Sequence, residues 1–262
     1  MIITALLAWG YVSLDRWQRR LIFHGNSYMM ETPRDRGLAF SDQWIDMENG
    51  RMHGWWIPAA SPQAPAALFF HGNAGTISSE IEHLTLLHNA GFAVLAVDYR
   101  GYGSSTAMQP SEASVYADAQ AAWVRFLQLT PHASMHVIYG HSLGGAVAID
   151  LATRVAGVDA LVAEGTYTSI VAEAKNIFPK WWPVSWFVTQ RFASDDKVKG
   201  LHMPKLFIHC IDDEVIPGAM SEELYRLSPQ PKAQLIISGG NHNNCPAFAG
   251  PEWTNAMRRI GN

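Results

Sequence analysis

Three side chains, far apart along the chain, carry the chemistry this sequence can do: Ser142, Asp213 and His242. Ser142 lies in Gly140-His141-Ser142-Leu143-Gly144. A serine hydroxyl is barely nucleophilic near neutral pH unless a base within hydrogen-bond reach takes its proton. His242, in Gly239-Gly240-Asn241-His242, is the candidate base. A carboxylate behind the imidazole fixes its tautomer and stabilises the imidazolium. Asp213 is expected there, with adjacent Asp212 as the alternative and Asp213 then a turn residue. The oxyanion that develops during acyl transfer needs donors, each typically contributing about 3 kcal/mol. The Leu143 amide follows the nucleophile directly, and the Asn73 amide of His71-Gly72-Asn73 is expected as the second.

These groups need elements that bring them to one place. A lone Gly-x-Ser-x-Gly is a weak signal; it gains meaning between a strand and a helix, where the serine occupies a strained turn. Here residues 135–139 form a short apolar run before the motif, and an alanine-rich helical stretch follows over 146–155. The continuous apolar runs 66–70, 92–97 and 160–163 suit buried strands, and 206–210 and 234–237 are two more strand candidates. Helical stretches are expected over 78–90, 111–129, 218–227 and 251–260. Asn49-Gly50, between 43–47 and 52–58, marks an antiparallel hairpin. Strands alternating with helices imply one α/β domain with a mostly parallel sheet, an N-terminal antiparallel hairpin and helices on both faces. In such a sheet, ligands bind beyond the carboxyl ends of the strands. Asp213 and His242 each follow a strand, and the order serine, acid, histidine is one of the three in which this constellation recurs.

Composition excludes several classes. At 262 residues, 48% hydrophobic and 16% charged, the chain has ample core. A net charge of −4 and the absence of a basic, aromatic-interleaved run argue against nucleic acid. Two cysteines, Cys210 and Cys245, give no metal or redox spacing, and no metal or cofactor is called for. The first fourteen residues carry no charged side chain. As a helix they span about 21 Å, short of the roughly 30 Å of a hydrocarbon core. Residues 1–23 are therefore open to three readings: a short or tilted anchor continued by a juxtamembrane helix, an uncleaved export signal, or a helix packed on the domain. Membrane association is favoured, with its side open: the following arginines bias the domain toward the cytoplasm, whereas a disulfide between the two cysteines would imply an exported domain.

Taken together, Gly140-His141-Ser142-Leu143-Gly144-Gly145, His71-Gly72-Asn73-Ala74-Gly75, Asp98-Tyr99-Arg100-Gly101-Tyr102-Gly103 and Asp213-Glu214-Val215-Ile216-Pro217 resemble the α/β-hydrolase superfamily. The Bem-type and ABHD-type serine hydrolases, many with an N-terminal membrane anchor, are the branch these motifs resemble, from about Leu21 to the C-terminus. The resemblance implies that Ser142 is the nucleophile and that Asp213 and His242 complete a triad. One departure is Cys210, where that family usually carries glycine.

Other residues have bland readings beside functional ones. His141 is expected to be structural or substrate-facing, His71 to brace its loop, His209 to be a core histidine, and Asp98 and Arg100 to pair with each other. Trp181, Trp182 and Trp186 fall in an insertion over 166–198. They form either a small satellite core or a short cap that offers an acyl chain an apolar groove. If the triad forms, the loops carrying Cys210 and Cys245 converge, leaving a disulfide and two free thiols both open; a disulfide implies an oxidising compartment. The expected function is cofactor-independent hydrolysis of carboxylic esters or thioesters with an apolar acyl group, such as lipid esters. A peptidase or amidase of the same fold, and a non-enzymatic scaffold, are the alternatives.

Overall fold

The structure is a computed structural model that describes residues 2–260. It opens with helix α1, Ile2–Ile22. Eight strands follow in one sheet: β1 Ser41–Met47, β2 Gly50–Ile57, β3 Ala66–Phe70, β4 Ala93–Asp98, β5 His136–His141, β6 Ala160–Glu164, β7 Lys205–Cys210 and β8 Lys232–Ile237. Their spatial order is β8-β7-β6-β5-β3-β4-β2-β1. β1 and β2 form the hairpin expected at Asn49-Gly50, β2 is antiparallel to β4, and the rest of the sheet is parallel.

The connecting helices are α2 Ile81–Asn89, α3 Glu112–Leu129, α4 Leu143–Arg154, α5 Ile170–Ile177, α6 Ser194–Lys197, α7 Gly218–Leu227 and α8 Cys245–Arg259. Alternation along each strand divides the core in two. Leu68, Phe70, Leu95, Val97 and Ile138 face α3, α4 and α7 in one cluster. Ala67, Phe69, Val94, Ala96 and Val137 face α2 and α8 in the other. The central strands are wholly buried because helices cover both faces, which explains their unbroken apolar sequence. α3 is capped by Ser111, whose hydroxyl accepts from the Ser114 amide.

Two boundaries differ from the sequence pattern. A 3₁₀ turn, Ile77–Glu80, precedes α2, so the start of that helical stretch is not α-helical. The last helix begins at Cys245 rather than 251 and breaks at Gly250 (φ 48°), where Pro251 follows. Between β6 and β7, the 166–198 segment holds α5, α6 and short 3₁₀ turns, and it packs against α1. Gln18 donates to the Phe187 carbonyl (2.6 Å) and accepts from the Thr189 amide, and Gln190 donates to Asp15.

Candidate active site

The loops after β3, β5, β7 and β8 lie at one edge of the sheet because these strands are parallel, and each carries one expected group. Ser142 stands between β5 and α4 with φ 55° and ψ −119°, a conformation that side-chain-bearing residues rarely adopt. Its amide donates to the Glu164 carbonyl (2.8 Å) on the neighbouring strand β6, which holds the turn in place. The flanking glycines are required by packing. A Cβ on Gly140 would collide with the Gly144 carbonyl, and one on Gly144 with the Phe70 carbonyl.

His242 Nε2 lies 2.8 Å from Ser142 Oγ, and its Nδ1 lies 2.7 Å from Asp213 Oδ2. With Nδ1–H donating to the carboxylate, Nε2 is left to accept the serine proton. Ser142 and His242 are each 7% exposed, so little water competes for these bonds. Burial works against the Asp213 charge. The His242 hydrogen bond and the amides of Ile216 and Val215 outweigh it, holding the carboxyl below its ordinary value. Asp212, the alternative carboxylate, is exposed, and Asp213 is the one that meets His242.

Leu143 follows Ser142 directly, and the loop that carries Asn73 runs beside the nucleophile. Leu143 opens α4, so its amide is one of the first-turn N–H groups without an intrahelical acceptor. The 71–73 loop runs alongside: a Cβ on Gly72 would sit 3.3 Å from Ser142 Cβ. The Asn73 carbonyl accepts from the His24 amide and the Tyr102 hydroxyl, and its side chain donates to the Ile22 carbonyl. Among the described residues its own amide has no acceptor, which leaves that N–H for a ligand. His71 braces the loop as expected, with Nδ1 2.8 Å from the Gly72 carbonyl, and burial lowers its basicity. His209 is buried, with Nδ1 4.0 Å from Asp213 Oδ2, and burial likewise lowers it.

His141 does not face a substrate, contrary to one of its expected roles. Its ring is buried, with Nδ1 3.1 Å from Glu80 and Nε2 3.0 Å from the His242 carbonyl. It therefore supports the backbone that carries the candidate base. Asp98 and Arg100 do not pair either. Arg100 binds Asp118 through its guanidinium and amide (2.7 and 2.8 Å), whereas Asp98 accepts from the Ile77 amide.

Behind His141 lies a buried cluster that the sequence reading missed. Glu80 contacts His83 (2.9 Å) as well as His141, and His83 reaches Glu164 (3.3 Å), which accepts from the Tyr139 hydroxyl. Both nitrogens of His141 meet acceptors, an arrangement that imidazolium alone satisfies, whereas His83 Nε2 is in ionic contact with Glu164 without a hydrogen bond. Burial opposes these charges, yet Glu164 and Glu80 raise His83 to about 10, and Glu80 raises His141. Glu80 is correspondingly held well below an ordinary carboxyl against its burial. Glu80, His83 and His141 have donor types suited to a metal, with ligand atoms within 4.8 Å of one another. Here those atoms already satisfy one another as an ionic network. A Glu-x-x-His spacing on the face that carries Ile77, Ile81 and Leu84 was the available signal, since charges on a core face need partners.

Cys210 and Cys245 form a disulfide, which ties the end of β7, just before Asp213, to α8, just after His242. The departure from glycine at 210 is thus one half of a covalent link between the acid and base loops. Beyond them, an apolar groove of about 360 Å³ opens between α1 and the insertion, lined by Leu14, Trp17, Leu21, Ile177, Trp182 and Phe187 among others. It approaches the site through Ile22, which lines it and whose carbonyl accepts from the Asn73 side chain. Trp182 lines this groove; Trp181 and Trp186 do not, and are 77% and 83% exposed, so neither a groove wall nor a satellite core describes them.

Residues 61–202, more than half of the chain, match the family described as serine aminopeptidase, S33, a group of hydrolases. The chain is an α/β-hydrolase of that family. Relatives extend the match along this hydrolase. It is 33% identical to an uncharacterized protein of Mycobacterium tuberculosis strain H37Rv, over 98% of this chain and 92% of that one. It is 29% identical to the lysophosphatidylserine lipase ABHD12 of Bos taurus, over 83% of this chain and 60% of that longer protein. The esterase Pf2001 of Pyrococcus furiosus has the same fold, with a TM-score of 0.72 at 18% identity over 91% of the hydrolase and 97% of the esterase chain.

Proposed function

We propose that this hydrolase cleaves carboxylic esters with an apolar acyl chain through an acyl-enzyme on Ser142. The observation that carries the reading is the unbroken hydrogen-bonded path from Ser142 through His242 to Asp213, at 2.8 and 2.7 Å, on a strained strand-to-helix turn. Ser142 Oγ attacks the ester carbonyl carbon while its proton passes to His242 Nε2. The carbonyl electron pair moves onto oxygen, which the Leu143 and Asn73 amides receive. As the tetrahedral centre collapses, the bond to the leaving oxygen breaks and the imidazolium protonates the alcohol. A water then repeats the sequence on the acyl-enzyme, giving up a proton to His242, and Ser142 leaves with one.

The groove supports an apolar acyl group: its lining is almost wholly hydrocarbon and aromatic, and lining residue Ile22 is hydrogen-bonded to Asn73. A single-chain phospholipid ester of the kind named for the bovine relative is a suitable first lipid substrate. Thioesters of the same acyl chains fit the same chemistry. The family description brings in a second reaction class, removal of an amino-terminal residue. One assay separates them: p-nitrophenyl esters of increasing chain length beside aminoacyl nitroanilides. Ester turnover is expected, lost by about 10⁴-fold or more in Ser142→Ala together with fluorophosphonate labelling. Turnover of the nitroanilides alone would replace the ester reading. A wild-type protein inert to both substrates and to the probe would leave a binding scaffold.

A further inference from the structure

The face formed by α1 and the insertion has two properties that the acyl-ester reading does not require. The first is exposed apolar surface. Asp15 and Gln18 hold α1 to the insertion, and the adjoining face, Leu14, Trp17 and Leu21, opens on the groove. Trp17, Leu21, Ile177 and Phe187 line it and remain about half exposed or more, and Trp181 and Trp186 project beside it. Contiguous apolar surface rimmed by charge marks a contact site.

The second property is charge, and it runs against the rest of the protein. The net charge is −4. Yet Arg16, Arg20, Lys175 and Lys180, on these same two segments, are exposed and lack a carboxylate partner among the described residues. Of the acidic residues on these segments, Asp195 and Asp196 lie on α6, where Asp196 pairs with Lys199, and the two beside the groove offset little. Asp15 is engaged by Arg19 (2.6 Å) and Gln190, and burial pushes the carboxyl of Glu173 up toward its neutral form.

We infer that this face docks on an anionic lipid surface, with Trp181, Trp182 and Trp186 at the headgroup boundary and the four cations against lipid phosphates. Tryptophan prefers that boundary, since its ring is apolar and its N–H polar. Basic side chains beside an amphipathic helix are drawn to anionic headgroups. No helix among the described residues is long and apolar enough to cross a membrane, and this mode needs none, because the face lies on the surface. Docking in this way opens the groove toward the acyl chains of the bilayer.

The test is co-sedimentation of the full chain with phosphatidylcholine vesicles, pure or containing about one-third phosphatidylserine. Binding to the anionic vesicles alone, a blue shift of tryptophan emission, and release at high salt are expected. Arg16→Glu/Arg20→Glu/Lys180→Glu should weaken partitioning by about 100-fold or more, and Trp181→Ala/Trp186→Ala by about tenfold. Matched thermal midpoints keep misfolding out of the comparison. Ser142→Ala should bind as wild type does, so failure here is distinguishable from failure of the ester reading. The inference is overturned if the wild type stays in the supernatant at low salt, or if both variants bind undiminished. It is also overturned if the face instead supports a concentration-dependent dimer that ignores vesicles.

Discussion

On the sheet side of Ser142, Glu80, His83, His141 and Glu164 are buried and face one another as alternating charges, and His141 passes that order to the His242 backbone. On the insertion side, the groove offers aromatic and aliphatic surface with few polar atoms to fix a pose. The two regions use different physics. A buried ionic network is held by directional contacts, and removing one member leaves another charged group unpaired in a low-dielectric interior. An apolar wall acts through area, which changes in small steps. Substitutions on the first side should therefore act almost as switches, and those on the second by degrees.

The largest effect after loss of the nucleophile should come from the acid. Asp213→Asn keeps the shape but no longer stabilises the His242 imidazolium, so kcat should fall by about 10³- to 10⁴-fold. Exposed Asp212→Asn should leave kcat within about twofold. Equal losses in both would move the carboxylate role and dissolve the contrast. Next is Glu80→Gln, which leaves His83 with one carboxylate partner and His141 with none; breaking such a pair costs about 3 to 5 kcal/mol. The pH dependence is the sharper readout. His83 is raised from 6.5 to about 10 in the folded state, so its contribution to stability is complete below 6.5 and is lost as pH rises toward 10. The wild-type thermal midpoint should fall between pH 7 and 10, and the Glu80→Gln curve should be flatter over that window. Parallel curves would mean that the histidines do not carry the charge.

How much of this was legible depended on whether a signal was local. Ala66–Phe70 and Gly218–Leu227 read correctly to the residue, since an unbroken apolar run and a helix opened by Pro217 each bound themselves. Ser142 was legible because a strand, a glycine pair and a helix meet within ten residues. Asp213 and His242 followed from the rule that parallel strands present their carboxyl ends together. The ionic network was not legible, because its members come from three places: the turn and first residues of α2, the end of β5, and the end of β6. Arg100 was assigned to its sequence neighbour Asp98, yet the core delivers Asp118 from α3. The start of α8 was misplaced because Gly250-Pro251 reads as a beginning, whereas the chain bends there and continues.

The disulfide belongs to neither region: it braces the loops of Asp213 and His242 from outside the hydrogen-bonded path. Closing a separation of 35 residues contributes about 3 to 4 kcal/mol in the loop-entropy view. Cys210→Ala/Cys245→Ala should lower stability by about that amount, read by denaturant melts. Thiol reductant should reproduce the effect in the wild type and leave the double variant unchanged. A reductant-insensitive wild type would remove the brace.

The smallest effect tests the graded side. Trp182 lines the groove and is 45% exposed, so its loss removes part of one wall and leaves the Ser142–His242 geometry untouched. Trp182→Ala should lower kcat/KM for long acyl esters by about three- to tenfold, roughly 1 kcal/mol, because less apolar area meets the chain. Esters of two or four carbons offer that wall little apolar area and should change by less than about twofold. The informative quantity is the slope of log kcat/KM against chain length, which cancels any uniform loss from misfolding. If the slope matches wild type, acyl chains do not follow this groove, and the apolar side of the comparison belongs to surface contact alone.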